Sequence, residues 1–97
     1  MAEVLVASDA GWVVEEVMAT LSSTEDTVRG VSRGADVLRA VREHVPDLAV
    51  IDLQIGNMGG MAACLDLRLE EGAGRLPHVP VLMLLDRRPD VFLARRH

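Results

Sequence analysis

Residues 47–60 read DLAVIDLQIGNMGG and contain the clearest fold signal of the chain. A short apolar run rich in β-branched residues, residues 48–51, lies between Pro46-Asp47 and a glycine-rich segment. The pattern is typical of a fully buried strand of a parallel sheet, although periodicity alone also allows a buried helical segment. The run ends at Asp52, and ligands of open α/β sheets bind beyond the carboxyl ends of the strands. Asp52 is therefore the first candidate functional residue.

The composition is that of one small folded domain. The chain has 97 residues, and 49% of them are hydrophobic, too many for a disordered chain. No apolar run is long enough to span a bilayer and no signal-like segment opens the chain, so we expect a cytoplasmic protein without membrane contact. The lone Cys64 offers neither a disulfide framework nor metal-ligand spacing. The net charge of −5 argues weakly against direct nucleic-acid binding.

Strands and helices are predicted to alternate along the chain. The strand patterns cover residues 3–8, 27–31, 48–52 and 81–85, and the helical patterns cover residues 12–21, 35–44 and 61–71. Gly30 weakens the second strand, and Pro89 suits the first residue of a last helix. The alternation implies right-handed βαβ units, a parallel sheet and a single α/β domain over residues 1–97.

Apolar residues at helical spacing mark one face of each predicted helix, which we expect to be buried. Two methionines, one in the third helix and one in the fourth strand, are expected to fill the core. The residues concerned are Val13, Val14, Val17, Met18 and Leu21; Val37, Leu38 and Val41, with Val45 just beyond; Met61, Leu65 and Leu69; and Met83.

Three segments resemble the receiver domain of two-component response regulators: residues 4–9 (VLVASD), 46–60 (PDLAVIDLQIGNMGG) and 80–88 (PVLMLLDRR). The resemblance covers the whole chain. It implies a flavodoxin-like, doubly wound parallel sheet with strand order 2-1-3-4, in which the family's fifth strand and fifth helix are missing.

The resemblance also assigns roles to single residues. It makes Asp52 the phosphoacceptor and Asp9 the second member of the acidic pair that closes the first strand. Gln54 would supply the backbone carbonyl that completes a magnesium site, and Gly60 would open the third helix. Other interpretations are that Asp52 only forms a turn and that Asp9 is an ordinary helix N-cap.

These residue types suit phosphoryl transfer. In-line attack needs a fixed nucleophile, and an aspartate at the end of a strand is expected to be exposed and able to form an acyl phosphate. Mg²⁺ prefers a few carboxylates, a carbonyl oxygen and water, so the expected ligands are Asp9, Asp52 and the Gln54 carbonyl.

Several residues near the expected phosphoryl pocket depart from the family pattern. Ser8 stands where the first acidic residue is usual, and Gly56 replaces a common proline. Leu85 replaces the Thr or Ser that hydrogen-bonds the phosphoryl group, and Asp86 replaces a small residue that leaves the pocket open. Arg87 brings positive charge nearby, but a guanidinium is no substitute for the family's lysine, which this chain lacks.

Two functions follow from the resemblance. The first is a receiver that accepts a phosphoryl group on Asp52 from a histidine kinase or phosphotransfer protein, with Mg²⁺, and passes the state to an output domain or effector protein. The second, favoured by the departures, is a pseudo-receiver that acts as a phosphorylation-independent interaction module. Neither is a conventional enzyme, and no G-x-G-x-x-G or P-loop follows the first strand, as a nucleotide-binding enzyme would require.

Without a fifth strand beside it, the strand at residues 81–85 would be an edge strand with an apolar flank. Such edges pair with other chains. We therefore expect a homodimer formed through this strand or through exchange of the C-terminal elements.

Overall fold

The computed structural model describes residues 2–20, 25–55 and 59–84. In chain order the elements are β1 (Glu3–Ala7), α1 (Gly11–Thr20), β2 (Thr27–Val31), a 3-10 turn (Gly34–Asp36), α2 (Val37–Glu43), β3 (Leu48–Asp52), α3 (Gly60–Gly72) and β4 (Val81–Leu84). All four predicted strands and the first three predicted helices are confirmed: β2 and β3 have the predicted bounds, and the bounds of the other elements differ by at most two residues. The predicted helix after Pro89 lies outside the described residues. No helix within the described ranges has the length and apolar character needed to cross a membrane.

The four strands form one parallel sheet in the order β2-β1-β3-β4. This order confirms the flavodoxin-like arrangement. Ala7, the last residue of β1, is level with Val31 of β2 on one side and with Ile51 of β3 on the other. The carboxyl ends of β1, β2 and β3 therefore reach the same edge of the sheet at the same height.

The two central strands, β1 and β3, are buried on both faces, as their contiguous apolar residues predict. Alternate side chains of each central strand enter different clusters, because successive residues of a strand point to opposite faces. One cluster joins Ala49 and Ile51 to α2 and α3, and the other joins Val50 to α1.

The apolar stripe of α3 faces away from the sheet, contrary to expectation. Met61, Leu65 and Leu69 are 58%, 58% and 68% exposed, so Met61 does not fill the core. The buried face of α3 carries Ala63 and Leu67 instead. Because α3 has apolar residues on two faces, spacing alone identified a helix but selected the wrong face.

Two more apolar residues are exposed against expectation, Met18 in α1 and Val45 after α2. The expected core positions Val13 and Val17 are buried. Met83 packs against the core beside α2 and α3, as predicted.

The turn between α3 and β4 is held by a network centred on Glu71. Its Oε1 accepts the Val79 N–H at 2.8 Å and a hydrogen bond from Arg68 Nη1 at 2.6 Å. The same Arg68 nitrogen donates to the Val79 carbonyl at 3.1 Å. The Val79 N–H is the main reason that the pKa of Glu71 falls to about 2, with Arg68 and His78 adding to it against the opposing effect of burial. The network fixes where β4 begins.

Candidate functional site

Ser8 and Asp52 meet at the carboxyl edge of the sheet. They follow Ala7 and Ile51, which lie level in neighbouring parallel strands, so their side chains lie side by side. Ser8 Oγ donates a hydrogen bond to Asp52 Oδ2 at 2.8 Å. Ser8 is 2% exposed and Asp52 only 1%. The expectation of an exposed Asp52 is wrong, because Asp52 is still paired within the sheet as the last residue of β3, level with Leu84.

Each oxygen of the Asp52 carboxylate accepts a hydrogen bond. Oδ2 accepts the Ser8 hydroxyl, and Oδ1 accepts the backbone N–H of Gln54 at 2.9 Å. The Asp52 carbonyl accepts the Ile55 N–H at 3.1 Å, which closes a turn directly after β3. A buried carboxylate is tolerated when its oxygens are paired in this way. The turn therefore stabilises the orientation of the side chain.

Ser8 is itself held in place by two neighbouring elements. Its backbone N–H donates to the Val31 carbonyl at 3.0 Å, and its Oγ accepts the Ala10 N–H at 3.1 Å. Sequence reasoning treated Ser8 only as a missing carboxylate and overlooked its bond to Asp52. The signal was present, since residues that follow level positions of adjacent parallel strands are neighbours.

Asp9 follows Ser8 in the loop before α1, and it is exposed. It lies at the same edge of the sheet as Asp52, because β1 and β3 are neighbours. A hollow of about 510 Å³ opens here between β1, α1 and β2, lined by Ser8, Asp9, Gly11, Val14, Glu15, Gly30, Val31 and Ser32.

Gly60 is the first residue of α3, as predicted, and Gly59 before it has an extended backbone. The helix starts against the end of β3: a Cβ built on Gly60 would lie 2.7 Å from the Asp52 carbonyl oxygen. A glycine is required at this point because there is no room for a side chain.

The donor types at this edge fit Mg²⁺. The carboxylates of Asp9 and Asp52 and the Gln54 carbonyl are hard oxygen donors, and Mg²⁺ keeps several of its waters when it binds one or two carboxylates. Across residues 2–20, 25–55 and 59–84, no group of three or more His, Cys, Asp or Glu side chains could hold a metal ion. Ser8 stands where a third carboxylate would be expected from the resemblance.

Like Leu21 of the first predicted helix, four of the residues singled out near the expected phosphoryl pocket lie outside the part of the chain that the structure describes. They are Gly56, Leu85, Asp86 and Arg87. Their effects on the phosphoryl pocket stay predictions from the sequence.

Comparisons with a family model and with known sequences identify the same family. The sequence model of the response regulator receiver domain matches residues 4–93. The DNA-binding response regulator MtrA of Mycobacterium tuberculosis is 32% identical over 81 residues, which make up 84% of this chain and 33% of that protein. The chain thus spans about a third of the length of the curated relatives that it matches.

Solved structures agree on the fold. The N-terminal domain of a response regulator receiver protein from Methanoculleus marisnigri superposes with a TM-score of 0.75 at 21% identity, covering 99% of this chain and 77% of that one. The chemotaxis response regulator CheY4 of Vibrio cholerae gives a TM-score of 0.76 at 23% identity, covering 93% and 73%. At these identities the likeness shows the fold alone.

Proposed function

Because this chain belongs to the response regulator receiver domain family, we propose that it accepts a phosphoryl group on Asp52 and passes that state to an output partner. The phosphodonor would be a histidine kinase or a phosphotransfer protein. Receiver domains are signalling modules of two-component systems and not classical enzymes. The observation that carries the proposal is the Asp52 carboxylate at the carboxyl edge of a parallel sheet, oriented by Ser8 and by the Gln54 N–H.

In the proposed reaction, a carboxylate oxygen of Asp52 attacks the phosphorus of a phosphohistidine. The new P–O bond to Asp52 forms as the P–N bond breaks, and the imidazole nitrogen leaves with the electron pair. The protein contributes position: a buried carboxylate held on both oxygens presents a single orientation to the incoming phosphoryl group.

The Mg²⁺ of this reaction would be held by Asp9, Asp52 and the Gln54 carbonyl. When bound, the cation neutralises charge on the transferred phosphoryl oxygens. With Ser8 in place of an acid, the site has two carboxylates, so we expect weaker Mg²⁺ binding than at a site with three.

A second candidate function is a pseudo-receiver, a phosphorylation-independent interaction module. One observation favours it: the Ser8 hydroxyl is bonded to the oxygen of Asp52 that faces β1. Leu85 and Asp86, which stand where the family's hydroxyl and small residues are usual, favour it as well.

Intact mass separates the two functions. The folded chain would be incubated with Mg²⁺ and acetyl phosphate, beside Asp52→Asn, which keeps the side-chain shape but removes the nucleophile. Asp66→Asn, in the middle of α3, is the matched control. One phosphoryl group on the wild type and on the control, but not on Asp52→Asn, supports the proposal. A folded wild type that stays unmodified contradicts it and leaves the pseudo-receiver.

The proposal extends to the organisation of the chain. We propose that residues 1–97 form one receiver domain, since the family match covers residues 4–93, and that it works in the cytoplasm. The net charge of −5 supports a role without direct nucleic-acid contact. We also propose a homodimer through β4, whose Leu82 is 40% exposed and which, within the described residues, pairs with β3 alone.

A further inference from the structure

The Ser8 hydroxyl proton is committed to Asp52. Ser8 Oγ lies 2.8 Å from Asp52 Oδ2 but 3.4 Å from the Ala10 carbonyl, and only the shorter distance lies in the usual range for an O–H···O bond. A lone pair of the same Oγ accepts the Ala10 N–H at 3.1 Å. The hydroxyl is therefore oriented from both sides, with its proton directed at the carboxylate.

The two oxygens of Asp52 are held in different ways. Oδ1 is bonded to a backbone N–H, that of Gln54, which cannot move without opening the turn after β3. Oδ2 is bonded to a side-chain hydroxyl, which can rotate about its Cα–Cβ bond. Because its donor belongs to β1, Oδ2 also faces the strand that leads to Asp9. Since Asp9 directly follows Ser8, a cation bound to both aspartates would lie on the Oδ2 side of the Asp52 carboxylate.

We propose that Ser8 is a positioning residue that restrains Asp52, so that a divalent cation at Oδ2 competes with the Ser8–Asp52 hydrogen bond. This inference rests on the proposed function, because it concerns the cation site next to the proposed phosphoacceptor. Ser8 then does more than fail to supply a carboxylate: its hydroxyl competes with the cation for the oxygen that Asp52 offers.

This competition predicts the direction in which cation affinity changes when the Ser8 hydroxyl is removed. A hydroxyl fixed beside the carboxylate is a stronger competitor than a bulk water molecule, because its orientation is already determined by the Ala10 N–H. Removing the hydroxyl should therefore strengthen cation binding. If Ser8 Oγ were a ligand of the cation, removing it would weaken binding.

The test is a Mg²⁺ titration of the whole chain followed by ¹H–¹⁵N NMR at constant ionic strength. The probe is the Gln54 amide, which is bonded to Asp52 in the wild type and is present in every variant. The variants are Ser8→Ala, which removes the hydroxyl, and Ser8→Cys, which keeps the shape with a weaker donor. Ser32→Ala is the matched control, since Ser32 directly follows β2 as Ser8 follows β1, and the substitution removes the same hydroxyl away from Asp52.

We expect Ser8→Ala to lower the dissociation constant for Mg²⁺ by about threefold to tenfold, in line with the loss of one competing hydrogen bond. Ser8→Cys should lie between Ser8→Ala and the wild type, and Ser32→Ala should match the wild type. If Ser8→Ala does not fold because it lacks the hydrogen bond from the Ala10 N–H, the comparison is made with Ser8→Cys alone.

Unchanged or weaker Mg²⁺ binding by a folded Ser8 variant overturns the inference, and so does the absence of binding in every variant. Tighter binding by Ser8→Ala without any phosphorylation of Asp52 would instead overturn the proposed function and leave the restraint standing. Phosphorylation of the wild type, with no effect of the Ser8 variants on Mg²⁺ affinity, would support the proposed function and overturn the restraint by Ser8.

Discussion

Gly60 and Asp52 are in contact through their backbones. A Cβ on Gly60 would lie 2.7 Å from the carbonyl oxygen of Asp52 and 2.9 Å from the Cα of Leu53. Neither obstacle is a side chain that could rotate away. The first turn of α3 is therefore seated directly on the end of β3, and its position is tied to that of the candidate phosphoacceptor.

Gly60→Ala should destabilise the protein by about 1–3 kcal/mol, because the methyl group forces α3 away from β3. Gly72→Ala, at the other end of the same helix, is the control: a Cβ there meets nothing within 4 Å, so its effect should stay within about 0.5 kcal/mol. Urea unfolding of both variants gives the comparison. A Gly60→Ala variant as stable as the wild type would show that α3 has room for a methyl group at this contact with β3.

Leu67 and Leu69 lie two residues apart on α3 but on opposite faces. Leu67 is fully buried against the sheet, and Leu69 is 68% exposed. Leu67→Ala should cost about 2–5 kcal/mol of unfolding free energy, whereas Leu69→Ala should change it by about 0.5 kcal/mol or less. Thermal or urea unfolding distinguishes them, and equal effects would mean that α3 is rotated from its position in this structure.

Glu71 should make the free energy of unfolding depend on pH in the acidic range. Its pKa in the folded protein is about 2, below the ordinary 4.5, mainly because its carboxylate accepts the Val79 N–H. A depressed folded pKa means that the unfolded chain takes up the proton first. The stabilising contribution is therefore fully present above pH 4.5 and is lost as the pH falls from 4.5 towards 2.

Glu71→Gln should accordingly reduce the fall in stability over that pH window, since an amide oxygen still accepts the Val79 N–H but does not titrate. Glu25→Gln, at an exposed position before β2, is the control and should leave the pH profile as it is. Urea midpoints measured between pH 2 and 6 test this. A profile of Glu71→Gln that parallels the wild type would assign the acid sensitivity to other carboxylates.

Association through β4 should show in solution. Size-exclusion chromatography with light scattering is expected to give a concentration-dependent dimer. Leu82→Arg should shift it towards monomer, because a charge on the exposed apolar side chain of β4 disfavours pairing at that strand. Leu69→Arg on the outer face of α3 serves as the control. A wild-type chain that stays monomeric at every concentration would refute the proposed homodimer.

The strands could be predicted from the sequence. The apolar run at residues 48–51, which ends at Asp52, predicts β3 at its observed bounds, because a strand buried on both faces needs apolar residues at successive positions. β2 also has its predicted bounds, residues 27–31, although Arg29 and Gly30 interrupt its apolar pattern. Glycines and Pro46 predict where elements end, and these signals are local, so they can be read without knowing what surrounds them. The start of α3 at Gly60 follows from the family resemblance, and the structure confirms it.

The elements, their order along the chain, the family and the candidate phosphoacceptor Asp52 all followed from the sequence. The burial of Asp52, its hydrogen bond from Ser8 and the outward position of Met61, Leu65 and Leu69 became known only from the folded structure. Burial and side-chain pairing depend on which elements pack together across the fold, and no single segment contains that information. A helix with two apolar faces carries no local mark of which face is buried, and a serine that directly follows a strand's last pair meets its neighbour only through the register of the sheet.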